Sequence, residues 1–177
     1  MKLGLKFDEV RLEDYNKEWK SEFIKVKQDI INYTNIYEDC IEHIGSTAIT
    51  DMPAKPIIDI VVGVDVLAKV DKPLLKGLYK AGFLRLKVER PGEIVLAKFT
   101  DDTYAEKTHY IHLMEYEKEL WKNLIFFRNY LNSNSEAREE YLELKREYLR
   151  KSSTGVNEYS NHKEIFVKSI FEKRKIK

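Results

Sequence analysis

The chain has 177 residues, 43% apolar and 34% charged, with a formal net charge of +1 and a single cysteine, Cys40. These totals suit one soluble globular domain with its own core and exclude a disordered chain, an internal disulfide framework and a cysteine-built zinc site. A near-neutral balance supplies no general electrostatic reason to bind nucleic acid, which argues against such a partner. The basic tail "EKRKIK" reads as a solvated helix end. No stretch approaches the roughly 18 apolar residues of a membrane helix, so no membrane partner is expected. "MKLGLKFDEV" lacks the apolar core and cleavage site of a signal peptide, and the expected location is the cytoplasm.

In chain order, "FDEVRL" reads as a short strand. From Asn16 to about Tyr33, Trp19, Phe23, Val26 and Ile30 form the stripe of an amphipathic helix. "CIEHIG" reads as a strand, and "KPIIDIVVGV" is the strongest strand pattern, with Pro56 at its entrance where a missing N–H is tolerated. A helix is predicted over roughly Val66 to Ala81, stopped by Gly82. "FLRLKVE", "EIVLAKFT" and "THYIHLMEY" read as three further strands, with a Pro91-Gly92 turn between the first two. From Glu117 onward the pattern is helical. Leu120, Leu124, Phe127 and Leu131 make one stripe, and Ala137, Tyr141, Leu144 and Tyr148 another. "NSNSE" breaks the two, with Ser135 as the expected N-cap, and a last helix runs from about Val156 to Lys173. The fold class is α+β.

The stretch "HIGSTAITDMPAKPIIDIVVGV", residues 43 to 64, contains an anomaly. Along its strand, Ile58, Ile60, Val62 and Val64 share one face, and Ile57, Asp59, Val61 and Gly63 the other. An ionised carboxylate on a mostly apolar face is costly unless a metal ion, a lysine or backbone N–H groups compensate it. Gly45-Ser46-Thr47 could offer such N–H groups and a hydroxyl, the arrangement that cradles anions. Lys55 could neutralise a phosphate or Asp59 itself. Taken singly, the Gly-Ser turn and the acid are as readily structural. Together they point to phosphate and metal chemistry.

That combination resembles the polymerase-β type of nucleotidyltransferase: hydrophobic-Gly-Gly/Ser, about ten residues, then acid-hydrophobic-acid on a strand. Here it reads Ile44-Gly45-Ser46, twelve residues, then Asp59-Ile60-Val61. More closely, "IGSTAITDMPAKPIIDIVVGV" and "KTHYIHLMEY" resemble segments of the GrpB family, also called UPF0157. "YNKEWKSEF", "FRNYL", "EAREEYLELKREYL" and "YSNHKEIFVKSI" fit the same family. The resemblance implies a nucleotidyltransferase-like mixed sheet flanked by helices, in a single domain with a sheet half over about 1–116 and a helical half over about 117–177.

For the site, the resemblance implies Asp59 as metal ligand and catalytic carboxylate. Gly45, Ser46, Thr47 and Lys55 would hold phosphates, and Mg²⁺ would be the ion. Two-metal transfer needs carboxylates that hold two ions roughly 3.5–4 Å apart, and the second acid position here is Val61. Asp65 has the right parity but lies roughly 20 Å along an extended strand. His112, on the strand "THYIHLM", is a catalytic candidate that could equally be a hydrogen-bonded cleft histidine. Tyr110 stands where the family often has histidine, and Glu93 could approach from a neighbouring strand. Arg128 and Lys163 are candidate phosphate ligands on helices, and Lys145 and Arg146 could meet phosphates only from a helix face turned to the cleft.

Two functions stay open. One is nucleoside monophosphate transfer from an NTP with a divalent metal to an unknown acceptor. The other is a non-catalytic module that binds a nucleotide or a coenzyme A-type phosphate compound and assists a partner enzyme. The expected partner in both is a nucleotide or other phosphorylated small molecule.

Overall fold

The computed structural model describes residues 1–7, 9, 11–151 and 156–175, with the side chains of Tyr148, Lys151 and residues 156–163 outside the description. Six strands form one sheet: β1 (Leu5–Lys6), β2 (Ile41–Ile44), β3 (Ile58–Val64), β4 (Leu84–Arg90), β5 (Glu93–Phe99) and β6 (Glu106–Glu115). Their order is β2-β3-β6-β5-β4, with β1 on the early part of β6. β3 and β6 run parallel, and every other pairing is antiparallel. The helices are α1 (Glu18–Tyr33), α2 (Lys72–Lys80), α3 (Glu119–Ser133), α4 (Ser135–Lys151) and α5 (Val156–Lys175). Among the described residues, no helix is long and apolar enough to cross a membrane.

The alternation along β3 sets the layers. Ile58, Ile60 and Val62 turn to one face and pack with Leu96, Ile111 and Leu113. Trp19, Val26 and Ile30 of α1 and Leu78 of α2 complete that core. Each such side chain contributes about 1.5–3 kcal/mol by leaving water. The other face carries Asp59, Val61 and Gly63. Its far part is closed by α3, where Trp121 packs with Val61, Ile44 and Met114. A third cluster joins α3, α4 and α5 to the loop after β2 through Ile49, Met52, Phe127, Leu131, Tyr141, Phe166 and Ile170. The near part of the Asp59 face, between this cluster and Trp121, is where the candidate site lies.

Three local expectations differ from the structure. Of the segment read as the strand "FDEVRL", the described residues 7, 9, 11 and 12 lie in no strand. The strand is Leu5–Lys6, and Glu13 makes an isolated bridge to Ala54. Arg11 gathers Glu9, Glu13 and the Gly4 carbonyl around its guanidinium. The helix expected from Val66 is interrupted: Leu67–Lys69 is a single tight turn, and α2 starts only at Lys72. Pro73 belongs in a first turn, and Asp71 caps it by accepting from the Leu74 N–H at 2.9 Å. The cap of α4 is Asn134 rather than Ser135, since its side-chain oxygen accepts from the Ala137 N–H at 2.9 Å.

α1 and α2 meet at Gly77, where an added Cβ would lie 2.2 Å from the Tyr33 backbone oxygen and 2.9 Å from Thr34 Cγ2. Alanine favours a helix interior by about 1 kcal/mol over glycine, but a backbone atom cannot swing aside. Gly77→Ala is therefore expected to destabilise the fold by about 2 kcal/mol net in urea unfolding. A stabilised variant would show that the two helices are not held this close.

Candidate functional site

β2 and β3 are antiparallel with Ile44 opposite Asp59, so the turn that leaves β2 comes to rest beside the Asp59 carboxylate. Gly45 has φ +70° and ψ −170°, a region that essentially only glycine occupies. A Cβ there would sit 2.5 Å from Asp59 Oδ2 and 3.0 Å from Asp59 Cβ. One turn of tight helix, Ser46–Ala48, follows. Gly45, Ser46 and Asp59 are thus neighbours, and the Asp59 side chain keeps 29% of its surface exposed. Lys55, half-buried, stands just before β3.

Thr47 points inward. Its hydroxyl lies 3.0 Å from His43 Nε2 and donates to the Ile57 carbonyl at 3.2 Å. His43 stacks on Phe23 with ring centroids 4.9 Å apart. Burial pushes its pKa down to about 4 against a weaker upward pull from Asp59, so the ring is neutral at physiological pH. Arg128 of α3 forms an ion pair with Glu42 and donates to the His43 carbonyl at 2.9 Å. Its guanidinium clamps α3 onto β2. Lys163 is on α5, and its side chain lies outside the described residues.

Sequence reasoning reaches one contributor only conditionally, as a lysine on a helix face turned to the cleft, and misses another. Lys145 of α4 is fully buried. Its ammonium donates to the Pro53 carbonyl at 2.6 Å, lies 3.5 Å from Ser46 Oγ and sits 4.8 Å over the Tyr141 ring. The signal was present in the spacing: Ala137, Tyr141 and Lys145 recur at steps of four, which puts the lysine on the apolar stripe. The second is Asn132, which accepts from the Thr50 N–H at 2.9 Å and donates to the Ala48 carbonyl at 3.1 Å, pinning the loop after the turn. An asparagine on an amphipathic helix gives no signal of that role.

On the far side of Asp59 stands His112. Its Nε2 is 3.6 Å from Asp59 Oδ1 and its Nδ1 is 2.7 Å from Glu93 Oε2. Glu93 in turn meets Arg90, Nη1 to Oε1, at 3.2 Å. Burial opposes charge on the imidazole, but the two carboxylates outweigh it and raise the His112 pKa to about 9. For Glu93, burial pushes the pKa up, and His112 and Arg90 more than reverse it, so the carboxyl stays ionised below the usual range. Tyr110, opposite Asp59 across the β3–β6 ladder, has its hydroxyl pKa raised by burial and by the Asp59 charge.

The donor set can be tested against Mg²⁺, which requires near-octahedral oxygen coordination. Val61, at the second acid position, is fully buried beneath Trp121 and Met114. Among the described residues, no group of three or more His, Cys, Asp or Glu side chains is arranged to hold a metal. The residues present do not fit a two-ion centre. A cleft of about 700 Å³ opens toward the other ends of β3 and β6, lined by Leu67, Val70, Ile94, Met114, Arg85 and Lys118 among others. It lacks the turn, the acid and the buried lysine.

Comparison with known proteins bears on the family and the fold. The GrpB protein family matches residues 9–173. The glutamate-rich protein GrpB of Alkalihalophilus pseudofirmus is 39% identical over 169 residues, 95% of this chain and 97% of its own. A UPF0157 protein of Streptomyces coelicolor is 29% identical over 163 residues, 92% of this chain and 82% of its own. The crystal structure of the conserved protein GrpB from Enterococcus faecalis superposes with a TM-score of 0.78 at 26% identity, covering 92% of this chain and 96% of that one. The Cid1 poly(U) polymerase, in a structure bound to MgATP, superposes with a TM-score of 0.53 at 14% identity, covering 80% of this chain and 46% of that one. At that identity the likeness is one of fold alone, and the fold is that of nucleotidyltransferases. The mixed sheet, the glycine-serine turn beside a strand aspartate and the match over nearly the whole length lead to one statement: the chain belongs to the GrpB family.

Proposed function

We propose that the protein binds the phosphate groups of a nucleotide or a similar phosphorylated small molecule at the Gly45-Ser46 turn, without two-metal transfer. The observation that carries this reading is the convergence of a glycine-only turn, the Ser46 hydroxyl and the buried Lys145 ammonium 3.5 Å from it. A turn of this kind presents backbone N–H groups to an anion, and a desolvated ammonium attracts phosphate more strongly than a solvated one. Val61 beneath Trp121 is the reason turnover by the two-metal route is not part of the proposal.

The test is a thermal-shift panel of nucleoside mono-, di- and triphosphates and coenzyme A. A ligand at about a hundred times its Kd adds about 2.7 kcal/mol, which for a chain of this size raises Tm by roughly 5–10 °C. Wild type is expected to show such a shift, and Lys145→Met, compared with its own ligand-free Tm, to show none. If no phosphorylated compound moves the wild-type Tm, the proposal fails.

A second reading, nucleotidyl transfer with a single Mg²⁺ carried by the triphosphate, is favoured by one observation, the partial exposure of Asp59 beside the turn. Pyrophosphate release from any NTP separates it from binding alone.

A further inference from the structure

The cleft of about 700 Å³ past the end of β3 has the size of a small-molecule site. Asp59 and Val64 stand five residues apart on β3, roughly 17 Å along a strand, so the cleft is separate from the Gly45–Asp59 hollow. Three pieces of chain wall it: the tight turn Leu67–Lys69 with Val70, the β4–β5 turn at Gly92, and Lys118 to Leu120 at the entry to α3. These walls are tied together. The Leu67 N–H donates to Glu115 Oε1 at 3.2 Å, and the Tyr116 N–H to the Val64 carbonyl at 2.8 Å. A Cβ on Gly92 would lie 3.8 Å from Leu120 Cδ2, so the β4–β5 turn reaches the start of α3.

The lining divides by chemistry. Leu67, Val70, Ile94, Met114 and Leu120 make an apolar floor. Four charged residues stand around it, and the two acids are already engaged. Glu115 accepts from the Leu67 N–H, and Glu119 pairs with Arg174 at 2.5 Å. Among the described residues, neither Arg85 nor Lys118 has its side chain in an ion pair or a hydrogen bond. The cations are therefore the groups left to meet a ligand.

We propose that this cleft binds an amphipathic organic anion, a small molecule with an apolar body and a single carboxylate or phosphate head. The body lies on the apolar floor, and the head meets Arg85 and Lys118. The arginine fork matches the oxygens of either head. A ligand of the same body without charge would cover the floor and leave both cations without a counter-ion.

The experiment uses the full chain and the dye 1-anilinonaphthalene-8-sulfonate, itself an apolar body with one anionic head, whose fluorescence rises on binding. The dye is then displaced by octanoate, octyl phosphate and 1-octanol below their micellar or solubility limits. At least one of the two anions is expected to bind about fivefold or more tightly than 1-octanol, and the tighter of the two fixes the head. Arg85→Gln and Lys118→Gln are each expected to weaken that anion about two- to fivefold, the range of an exposed ion pair, and to leave 1-octanol unchanged. Ala68→Trp fills the cleft from an exposed wall position and is expected to abolish dye binding, with an unchanged urea midpoint showing that the fold is intact. Dye that does not bind wild type, or that binds Ala68→Trp as well, overturns the proposal. So does 1-octanol that matches both anions, or an anion affinity that neither charge variant moves.

Discussion

Gly45→Ala is expected to lose about 3 kcal/mol of stability and, with it, all ligand-dependent stabilisation. Two effects add. The backbone at φ +70° and ψ −170° is strained by about 1–3 kcal/mol for any residue with a Cβ. The new methyl would also meet Asp59 Oδ2 at 2.5 Å and Asp59 Cγ at 3.1 Å. Asp59 cannot retreat without loss, because it is fixed opposite Ile44 in the β2–β3 ladder and faces His112 on its other side. The informative control is Ser46→Ala, which removes one hydroxyl near Lys145 but leaves the turn intact. It is expected to change stability by less than about 1 kcal/mol while still weakening ligand binding. Urea unfolding gives the first quantity and the ligand-induced Tm shift the second. If Gly45→Ala unfolds within about 1 kcal/mol of wild type, the turn and the carboxylate are not packed against each other, and the site described here is wrong.

The parts of this fold that were legible in sequence are those fixed by local chemistry. β3 could be read because a run of β-branched residues flanks Asp59 on both sides, and α1 because Trp19, Val26 and Ile30 recur at helical spacing. The stop of α2 could be read because Gly82 adopts φ +93° and lets Phe83 donate back to the Leu78 carbonyl. Near the N-terminus, Arg11 holds Glu9, Glu13 and the Gly4 carbonyl, three acceptors that could not be foreseen from spacing.

The site was less legible for the same reason. Asp59 stood out because a lone acid among apolar residues needs an explanation within one strand. The charge chain that answers it depends on strand register: Glu93 reaches His112, nineteen residues on, only because Val95 pairs with His112 across β5 and β6. Lys145 comes from a helix nearly a hundred residues beyond the serine it approaches. Val61, by contrast, carried its meaning in the sequence, and the structure adds the cause: Trp121 covers the position where a second acid would have to stay solvated.

Three histidines and Glu93 predict how stability depends on pH, and the histidines divide the curve. His112 titrates at about 9 in the folded chain against its ordinary 6.5. A raised histidine contributes stability that is complete below about 6.5 and lost as pH rises through 9, here at most about 3 kcal/mol. His43 and His109 behave oppositely. Burial holds the first at about 4 and, helped by Lys98, the second at about 3. A lowered histidine contributes stability that is complete above about 6.5 and lost as pH falls toward those values. Glu93, lowered by His112 and Arg90 against the effect of its burial, adds to the acid loss below its ordinary 4.5. Unfolding free energy is therefore expected to peak near pH 6.5–7 and to fall on both sides. In urea titrations at fixed ionic strength, His112→Gln should flatten the alkaline limb between pH 7 and 9 and leave the acid limb in place. His43→Gln should reduce the acid limb and leave the alkaline one. A wild-type curve that keeps rising or stays level from pH 7 to 9 would mean that His112 is not held as an imidazolium between Asp59 and Glu93.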